Sequence, residues 1–529
     1  MAKKQYKVLI TASGIGVMLG DMIKYTNKAL IRIGKKPVIS YIIESYPENT
    51  EFIITVGYFA NQVKDFLNLA YPKKKFIFVE VDKYQGRGSS MGYSMLKAFK
   101  HLQCPFIFHV SDTIITEPVL YPDQNWMGGY HGEGSSNYSS FDTLNGKIQR
   151  IYNKGAINPD FLHLGVVGIK DYNKFWGSLK ELYKNNPNDE SLGDVHIINK
   201  MLNNGIEFKV NEYNEWYDTG NVETLHETRN KIRDSFRILD KAEESIFIFD
   251  KFVIKFFADE KMVSDRVARG KILKGLAPKI EGHKKNFYRY KYEVGDLFSK
   301  VATPHNFADF LKWSEKRLWK KSEEVDGEKF KEICKNFYHK KSIERIEKFL
   351  SSRSIKDTKN IINGEKVPSV REMLKKIDFK EICNGKQSNF HGDFILDNML
   401  KTKKGYILLD WRQNFGGLLK SGDMYYDLAK LNHNLTVNHE IINKNLFTIQ
   451  IKDSAVECDI LRKDNLVQCQ KELFDFLTKK GYDTKKVKIL TSIIWLNMSP
   501  LHHHPFDLFL FYFGKLNLWR EIKNQKSLK

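Results

Sequence analysis

Tyr6-Lys7-Val8-Leu9-Ile10-Thr11-Ala12-Ser13-Gly14-Ile15-Gly16 is an apolar run that ends in a glycine-bearing loop. Three similar runs follow: Phe52–Gly57, Phe76–Val81 and Phe106–Val110. Between them lie stretches with helical spacing of apolar residues, such as Val38–Glu44. Apolar strands alternating with helices predict βαβ units and a largely parallel, doubly wound sheet. Each run closes on a polar or glycine-rich turn, which is where sheets of this kind gather ligands.

Past Thr219-Gly220-Asn221 the texture changes. Residues 222–236 read as a charged helix. Ile246–Phe249 and Phe252–Phe257, parted by Asp250-Lys251, read as a hairpin. From about residue 303 onward amphipathic helices dominate, broken by a second hairpin around Lys403-Lys404-Gly405. This places a boundary near 230, with one domain over 1–230 and another over 231–529. A chain of 529 residues with 42% hydrophobic and 13% aromatic content has the material for more than one packed core, and is not a disordered chain.

The formal charge of +21 is unevenly spread. The first 230 residues carry 26 basic and 24 acidic side chains, so nearly all of the excess lies beyond them. It is distributed along lysine-rich helices with no nucleic-acid recognition motif, which points to a solvated surface and no nucleic-acid partner. The opening Met1–Ile10 is basic and then strand-like, without the apolar core or cleavage site of a secretory signal. No run of about 18 apolar residues is present to span a membrane. Five cysteines without a Cys-x-x-Cys pair fit a reducing, cytoplasmic setting and give no structural zinc site.

In the N-terminal domain the loop Ala12–Gly16 can turn backbone N–H groups toward an anion. Lys28 follows as a cation able to neutralise a triphosphate. Asp112 stands just past the fourth apolar run, and Asp218 lies in Trp216-Tyr217-Asp218-Thr219-Gly220. A carboxylate at a strand end suits Mg2+, which takes one or two carboxylates and shares its remaining positions with phosphate oxygens. On these motifs, with Gln85-Gly86-Arg87-Gly88-Ser89-Ser90, residues 5–230 resemble the sugar-nucleotide pyrophosphorylase-like nucleotidyltransferases, which include the phosphocholine cytidylyltransferases. The resemblance implies that Ala12, Gly14 and Gly16 hold the phosphates of an NTP, CTP or another, with Gln85, Gly88 and Ser89 near its base. It implies Lys28 as a catalytic cation and Asp112 and Asp218 as Mg2+ ligands. Lys154 would meet the acceptor's phosphate, with Gly165 and Asp194 in acceptor-binding segments. One position departs: Met18 stands where the family carries arginine. Lys28 and Mg2+ suffice without it, another cation substitutes, or the domain binds without efficient turnover.

The second constellation is Asn389-Phe390-His391-Gly392-Asp393-Phe394-Ile395-Leu396-Asp397-Asn398, followed by Ile407-Leu408-Leu409-Asp410-Trp411. One carboxylate to take a hydroxyl proton, and an amide oxygen with a second carboxylate to hold Mg2+, are what phosphoryl transfer requires. The pattern resembles the aminoglycoside phosphotransferase and choline kinase superfamily, over about residues 240–525. The resemblance implies a bilobal, protein-kinase-like α+β fold. Asp393 would be the catalytic base, Asn398 and Asp410 the metal ligands, and Asp427 a structural acid. Lys255, in Val253-Ile254-Lys255-Phe256-Phe257, would bind ATP or GTP phosphates, with Asp265 a candidate partner for it. No glycine-rich loop precedes Phe252, which leaves the choice of nucleotide open. His502-His503-His504 reads as surface or acceptor pocket, and the alternating Tyr288, Tyr290 and Tyr292 as one packed strand face.

Together the two resemblances imply a cytoplasmic bifunctional transferase. It would phosphorylate a small hydroxyl compound, an amino alcohol such as choline or a sugar, and then couple the product to a nucleotide. Such activated products commonly feed surface polysaccharide or lipid decoration.

Overall fold

The computed structural model describes residues 6–134, 136–233, 241–453 and 455–523. The basic opening through Gln5, and Asp240 before the first hairpin, lie outside these residues. The chain divides into two compact units. The first comprises Met1–Glu260 with Glu281–Tyr292, and the second Lys261–Ile280 with Glu293–Lys529.

The first unit is built on a nine-stranded sheet. Lys7–Ala12 pairs in parallel with Glu51–Val56 on one side and with Phe106–Val110 on the other, and Lys75–Glu80 extends the parallel edge. Val8, Leu9 and Ile10 are all fully buried, as expected of a parallel strand covered on both faces. Beyond Phe106–Val110 the sheet departs from the parallel expectation. Phe161–Ile169 runs antiparallel to it and to Trp126–Tyr130, and Ser140–Leu144 forms a hairpin with Lys147–Tyr152. For that hairpin the reason is local. Asn145 and Gly146 both take positive φ, giving the tight two-residue turn that joins antiparallel neighbours, and no crossover helix intervenes.

The four apolar runs identified from sequence all form strands, and Val38–Glu44 forms a helix. The segment after Gly16 differs from expectation. It is a short 3-10 helix, Val17–Ile23, interrupted by a non-helical Gly20, so it offers little aligned dipole to an anion.

The hairpin Glu244–Ile248/Phe252–Phe257, with Phe287–Lys291 and Ile280–His283, makes a small four-stranded sheet. Its aromatic face enters the core of the first unit. Phe66, on the helix Ala60–Ala70, meets Phe247 at 5.3 Å and Phe287 at 5.9 Å between ring centroids. Arg289 donates to the Leu69 carbonyl at 2.9 Å, and the Ile248 amide donates to Lys35 O at 2.8 Å. Packing therefore divides the chain after Glu260 and not at the change of texture near 230, because Phe247, Phe249, Phe256 and Phe287 find their apolar partners in the α/β core.

The second unit is mainly helical. Met424–Thr436, Thr484–Met498 and Phe506–Lys523 form its centre, and ten residues of Thr484–Met498 are buried. The hairpin Met399–Thr402/Gly405–Leu408 is present as expected, with Asp296–Leu297 as a third strand. Among the described residues no helix is long and apolar enough to cross a membrane.

Candidate active sites

In the first unit, Asn27 organises the turn that presents Lys28. Its side-chain amide donates to Ala12 O at 3.0 Å and to Tyr58 O at 2.7 Å, while its oxygen accepts the Ala29 amide at 2.9 Å. Lys28 is thereby fixed to the end of the first strand. Its ammonium pairs with Asp112 Oδ2 at 2.6 Å. Gly16, at φ +80°, lies against the Lys28 stem, where a Cβ would come within 3.0 Å of Cδ.

Asp218 reaches the same place from the strand Trp216–Asp218, paired with Thr113–Ile115 so that Asp218 lies opposite Thr113. Thr219 donates through both its amide and its hydroxyl to Asp112 O, each at 2.9 Å. Gly220 lies between the two acids. A Cβ there would stand 3.2 Å from Asp218 Oδ1 and 3.7 Å from Asp112 Oδ2. Asp218 also accepts from Tyr138 at 2.8 Å and from the Gly220 amide at 2.9 Å. Burial first, and the Asp112 charge second, push its carboxyl above the usual range. A cation shared by the two acids would relieve both effects.

The loops around this pair converge as well. Ser13 Oγ and Ser94 Oγ are 2.9 Å apart, and Tyr58 N donates to Ser13 O at 2.9 Å. Ser89 turns back on Gly86 O at 2.6 Å, Gly88 is buried beside Pro187, and Gln85 is exposed. Ala12 is fully buried and Gly14 has open space around it. Gly165 packs on Val110, two residues before Asp112. The other acceptor candidates have these surroundings. Asp194 is buried and bonded to His163 at 2.7 Å, and Lys154 is exposed in the turn after Lys147–Tyr152. Met18 is 64% exposed.

In the second unit, Asp393, Asn398 and Asp410 are stitched together. Asn398 donates to Asp393 Oδ2 at 2.9 Å and to Asp393 O at 3.0 Å. The Leu409 amide donates to Asn398 O at 2.7 Å. His391 Nε2 donates to Leu409 O at 2.8 Å, and its Nδ1 accepts the Asp393 amide at 3.2 Å. That pattern requires a neutral ring, and burial holds the imidazole down at about 4. Asp410 takes φ +51°, strained for a non-glycine residue, and pairs with Arg266 at 2.5 Å. Asp427 supports the loop from below. It accepts the His391 and Gly392 amides at 2.8 and 2.7 Å and the Trp319 indole at 3.1 Å.

Asp393 has a second neighbour, Lys430, whose ammonium lies 2.7 Å from Oδ1. Burial alone would raise the Asp393 carboxyl, but the Lys430 charge and hydrogen bond prevail and hold it below the usual range. Lys255 is buried on its strand opposite Ile246 and Tyr288, and Asp265 accepts from Lys261 and Asn414.

The donor sets suit Mg2+ on chemical grounds: two carboxylates in one unit, and a carboxylate with an amide in the other, each leaving positions for phosphate oxygens. Among the described residues no group of three or more His, Cys, Asp or Glu side chains could hold a metal by itself, and the three adjacent histidines form no such group.

No protein-family profile matches the chain. A 67-residue stretch is 40% identical to the choline-phosphate cytidylyltransferase of Streptococcus pneumoniae. That stretch spans 12% of this chain and 29% of the relative, less than a third of its length. Two solved structures are also similar. The CTP:phosphocholine cytidylyltransferase of Streptococcus pneumoniae is 20% identical, with TM-score 0.38 over 43% of this chain and 100% of that one. The inositol-1-phosphate CTP transferase of T. maritima is 17% identical, with TM-score 0.36 over 45% and 100%.

Several residues at these sites carry no motif of their own. Asn27 is a helix-cap residue in sequence, and its two carbonyl contacts come only from the fold. Lys430 had a usable signal: it follows Asp427 by three residues on one helix, hence on the same face, and faces the loop that Asp427 supports.

Proposed function

We propose that this chain is a two-site transferase. The second unit phosphorylates a small hydroxyl compound with ATP or GTP. The first unit joins the phosphorylated product to a nucleotide, from CTP or another NTP, and releases pyrophosphate. The observation that carries the reading is the meeting of Lys28, Asp112 and Asp218 around the end of the first strand. The 40% identity to a cytidylyltransferase over 67 residues supports it.

In the first unit an oxygen of the acceptor's phosphate attacks the α-phosphorus, the α–β anhydride bond breaks, and pyrophosphate leaves. Asp112 and Asp218 would hold Mg2+, which supplies charge neutralisation at the triphosphate. Lys28, released from Asp112, stabilises the negative charge that develops. In the second unit Asp393 takes the acceptor's proton as its oxygen bonds to the γ-phosphorus, the β–γ anhydride bond breaks and the nucleoside diphosphate leaves. Asn398 and Asp410 would hold a second Mg2+, which would supply charge neutralisation at the phosphates. Placing both steps on one chain raises the local concentration of the intermediate.

A second reading has a specific basis. With an exposed Met18 where the resembling family has arginine, the first unit binds nucleotide or metabolite without efficient turnover, and only the kinase works. Pyrophosphate release, measured with each NTP against a panel of phosphorylated acceptors, separates the two. Release with one pairing supports the two-site reading. Nucleotide binding without release on any pairing overturns it in favour of the second.

A further inference from the structure

We infer that the acceptor of the kinase-like site carries a negative charge, a hydroxy acid or a phosphorylated alcohol, and not the cationic amino alcohol that the resemblance suggests. The inference rests on the kinase reading of Asp393 and names the substrate class of that site.

The two oxygens of Asp393 face different surroundings. Oδ2 meets Asn398, on the side of Asp410, and Oδ1 meets the Lys430 ammonium. On the Lys430 side the charge continues. Arg412, two residues past Asp410, packs its stem on Gly392 of the loop, where a Cβ would fall 2.5 Å from Arg412 Cβ. Its guanidinium lies 5.1 Å from the centroid of the Phe337 ring, and the Lys341 ammonium lies 4.7 Å from that same centroid. Arg345, one turn beyond Lys341, is close enough for its charge to be felt at Lys341. Two of these four cations, Lys341 and Arg412, thus share one aromatic platform formed by Phe337, with Tyr426 packed edge-on at 5.0 Å.

Glu344 is felt at Lys341 only as a counter-charge weaker than the Arg412 and Arg345 charges. Lys430 has Asp393. Among the described residues Lys341, Arg345 and Arg412 have no carboxylate within ion-pair distance. Arg412 donates only its Nε, to Asn414 O at 3.0 Å, and Arg345 only NH1, to Asn497 O at 3.4 Å. The remaining guanidinium donors keep the planar fork that matches a carboxylate or phosphate. Lys341 is half-buried, and burial with the nearby Arg412 and Arg345 charges pushes its ammonium down to about 7. Such crowding is costly unless an anion enters. A quaternary ammonium would meet repulsion from all four groups, whereas an anion is drawn to the same flank of Asp393 on which its hydroxyl must lie.

The test uses the full chain with Mg2+ and ATP or GTP, following nucleoside diphosphate formation with glycerate, glycerol 3-phosphate, glycerol and choline. Turnover with an anionic acceptor and none with choline supports the proposal. Choline or glycerol turned over as efficiently as the anions overturns it. In Lys341→Gln and Arg345→Gln the KM for the anionic acceptor rises about tenfold or more, with the nucleotide KM unmoved, and Lys341→Arg recovers most of the loss. An equal rise in both KM values overturns the proposal by assigning the cations to the nucleotide. Thermal melts of each variant establish that it is folded. Calorimetry with glycerate and glycerol 3-phosphate separates the two layers. Binding that is lost in Lys341→Gln, without any turnover, keeps the anion subsite and rejects the kinase. Turnover without preference for anions keeps the kinase and rejects the subsite.

Discussion

Lys28 and Asp112, eighty-four residues apart in sequence, form a 2.6 Å ion pair at the end of the first parallel strand, with Asp218 on the far side of Gly220. Each of the three is half-buried, so none is a casual surface group. The pair gives a cation and an anion a common anchor that a triphosphate with its metal can take over. Lys28→Ala is expected to lower pyrophosphate release by about 100-fold or more, the scale of losing one charge-stabilising donor. Asp112→Asn is expected to do the same and to weaken the dependence on Mg2+. Single-turnover pyrophosphate assays across a Mg2+ titration check both.

Met18 is exposed next to the glycine loop, so an arginine there meets no steric obstacle. If charge at the leaving pyrophosphate limits the rate, Met18→Arg raises pyrophosphate release about tenfold or more. No change in a working enzyme would mean that Lys28 already suffices.

The candidate-site motifs were legible because each sits at a strand end that the apolar pattern locates. The four parallel strands, both hairpins, and the grouping of Asp393 with Asn398 and Asp410 follow from runs such as Val8–Ile10 and Ile407–Leu409. What could not be read is whatever depends on contact between distant segments. The aromatic face of 244–257 looks like the first hairpin of a separate lobe until Phe66 is seen beside Phe247 and Phe287. The antiparallel turn of the sheet after Phe106–Val110 depends on strand pairings over 126–169 that leave no periodic trace. Arg412 and Lys341 carry no motif, and only a shared ring, Phe337, brings them together.

Asp427 supplies a pH prediction. Burial is the largest influence on its carboxyl and raises it to about 6, although three hydrogen bonds pull it down. Its folded value is thus above its unfolded one of about 3.9. The folded chain retains a proton that the unfolded chain releases, so the group's contribution to stability falls as pH rises from about 4 to about 6. Asp427→Asn removes that slope. It also turns an amide donor toward the His391 or Gly392 N–H, at a cost of about 1–3 kcal/mol. Melting temperatures of both proteins between pH 4 and pH 7 test this.

Lys341 gives a second titration, of a group shifted down instead of up. Its ammonium, pushed down to about 7 first by burial and then by the Arg412 and Arg345 charges, against the weaker counter-charge of Glu344, is protonated below that pH. The KM for an anionic acceptor is expected to rise as pH increases through 7, and Lys341→Arg, which keeps its charge, should flatten the rise.

Two phosphate-transfer sites on one chain are proposed to work in series. Mass spectrometry of the products formed by the full chain with Mg2+, ATP, CTP and an anion-bearing alcohol tests this most directly, with Asp393→Asn and Asp112→Asn alongside. The prediction is a nucleotidylated acceptor from the unaltered chain, free phosphorylated acceptor from Asp112→Asn, and neither product from Asp393→Asn. A nucleotidylated product that survives Asp393→Asn without added phosphorylated acceptor, or a phosphorylated acceptor that the unaltered chain never carries further, would contradict it.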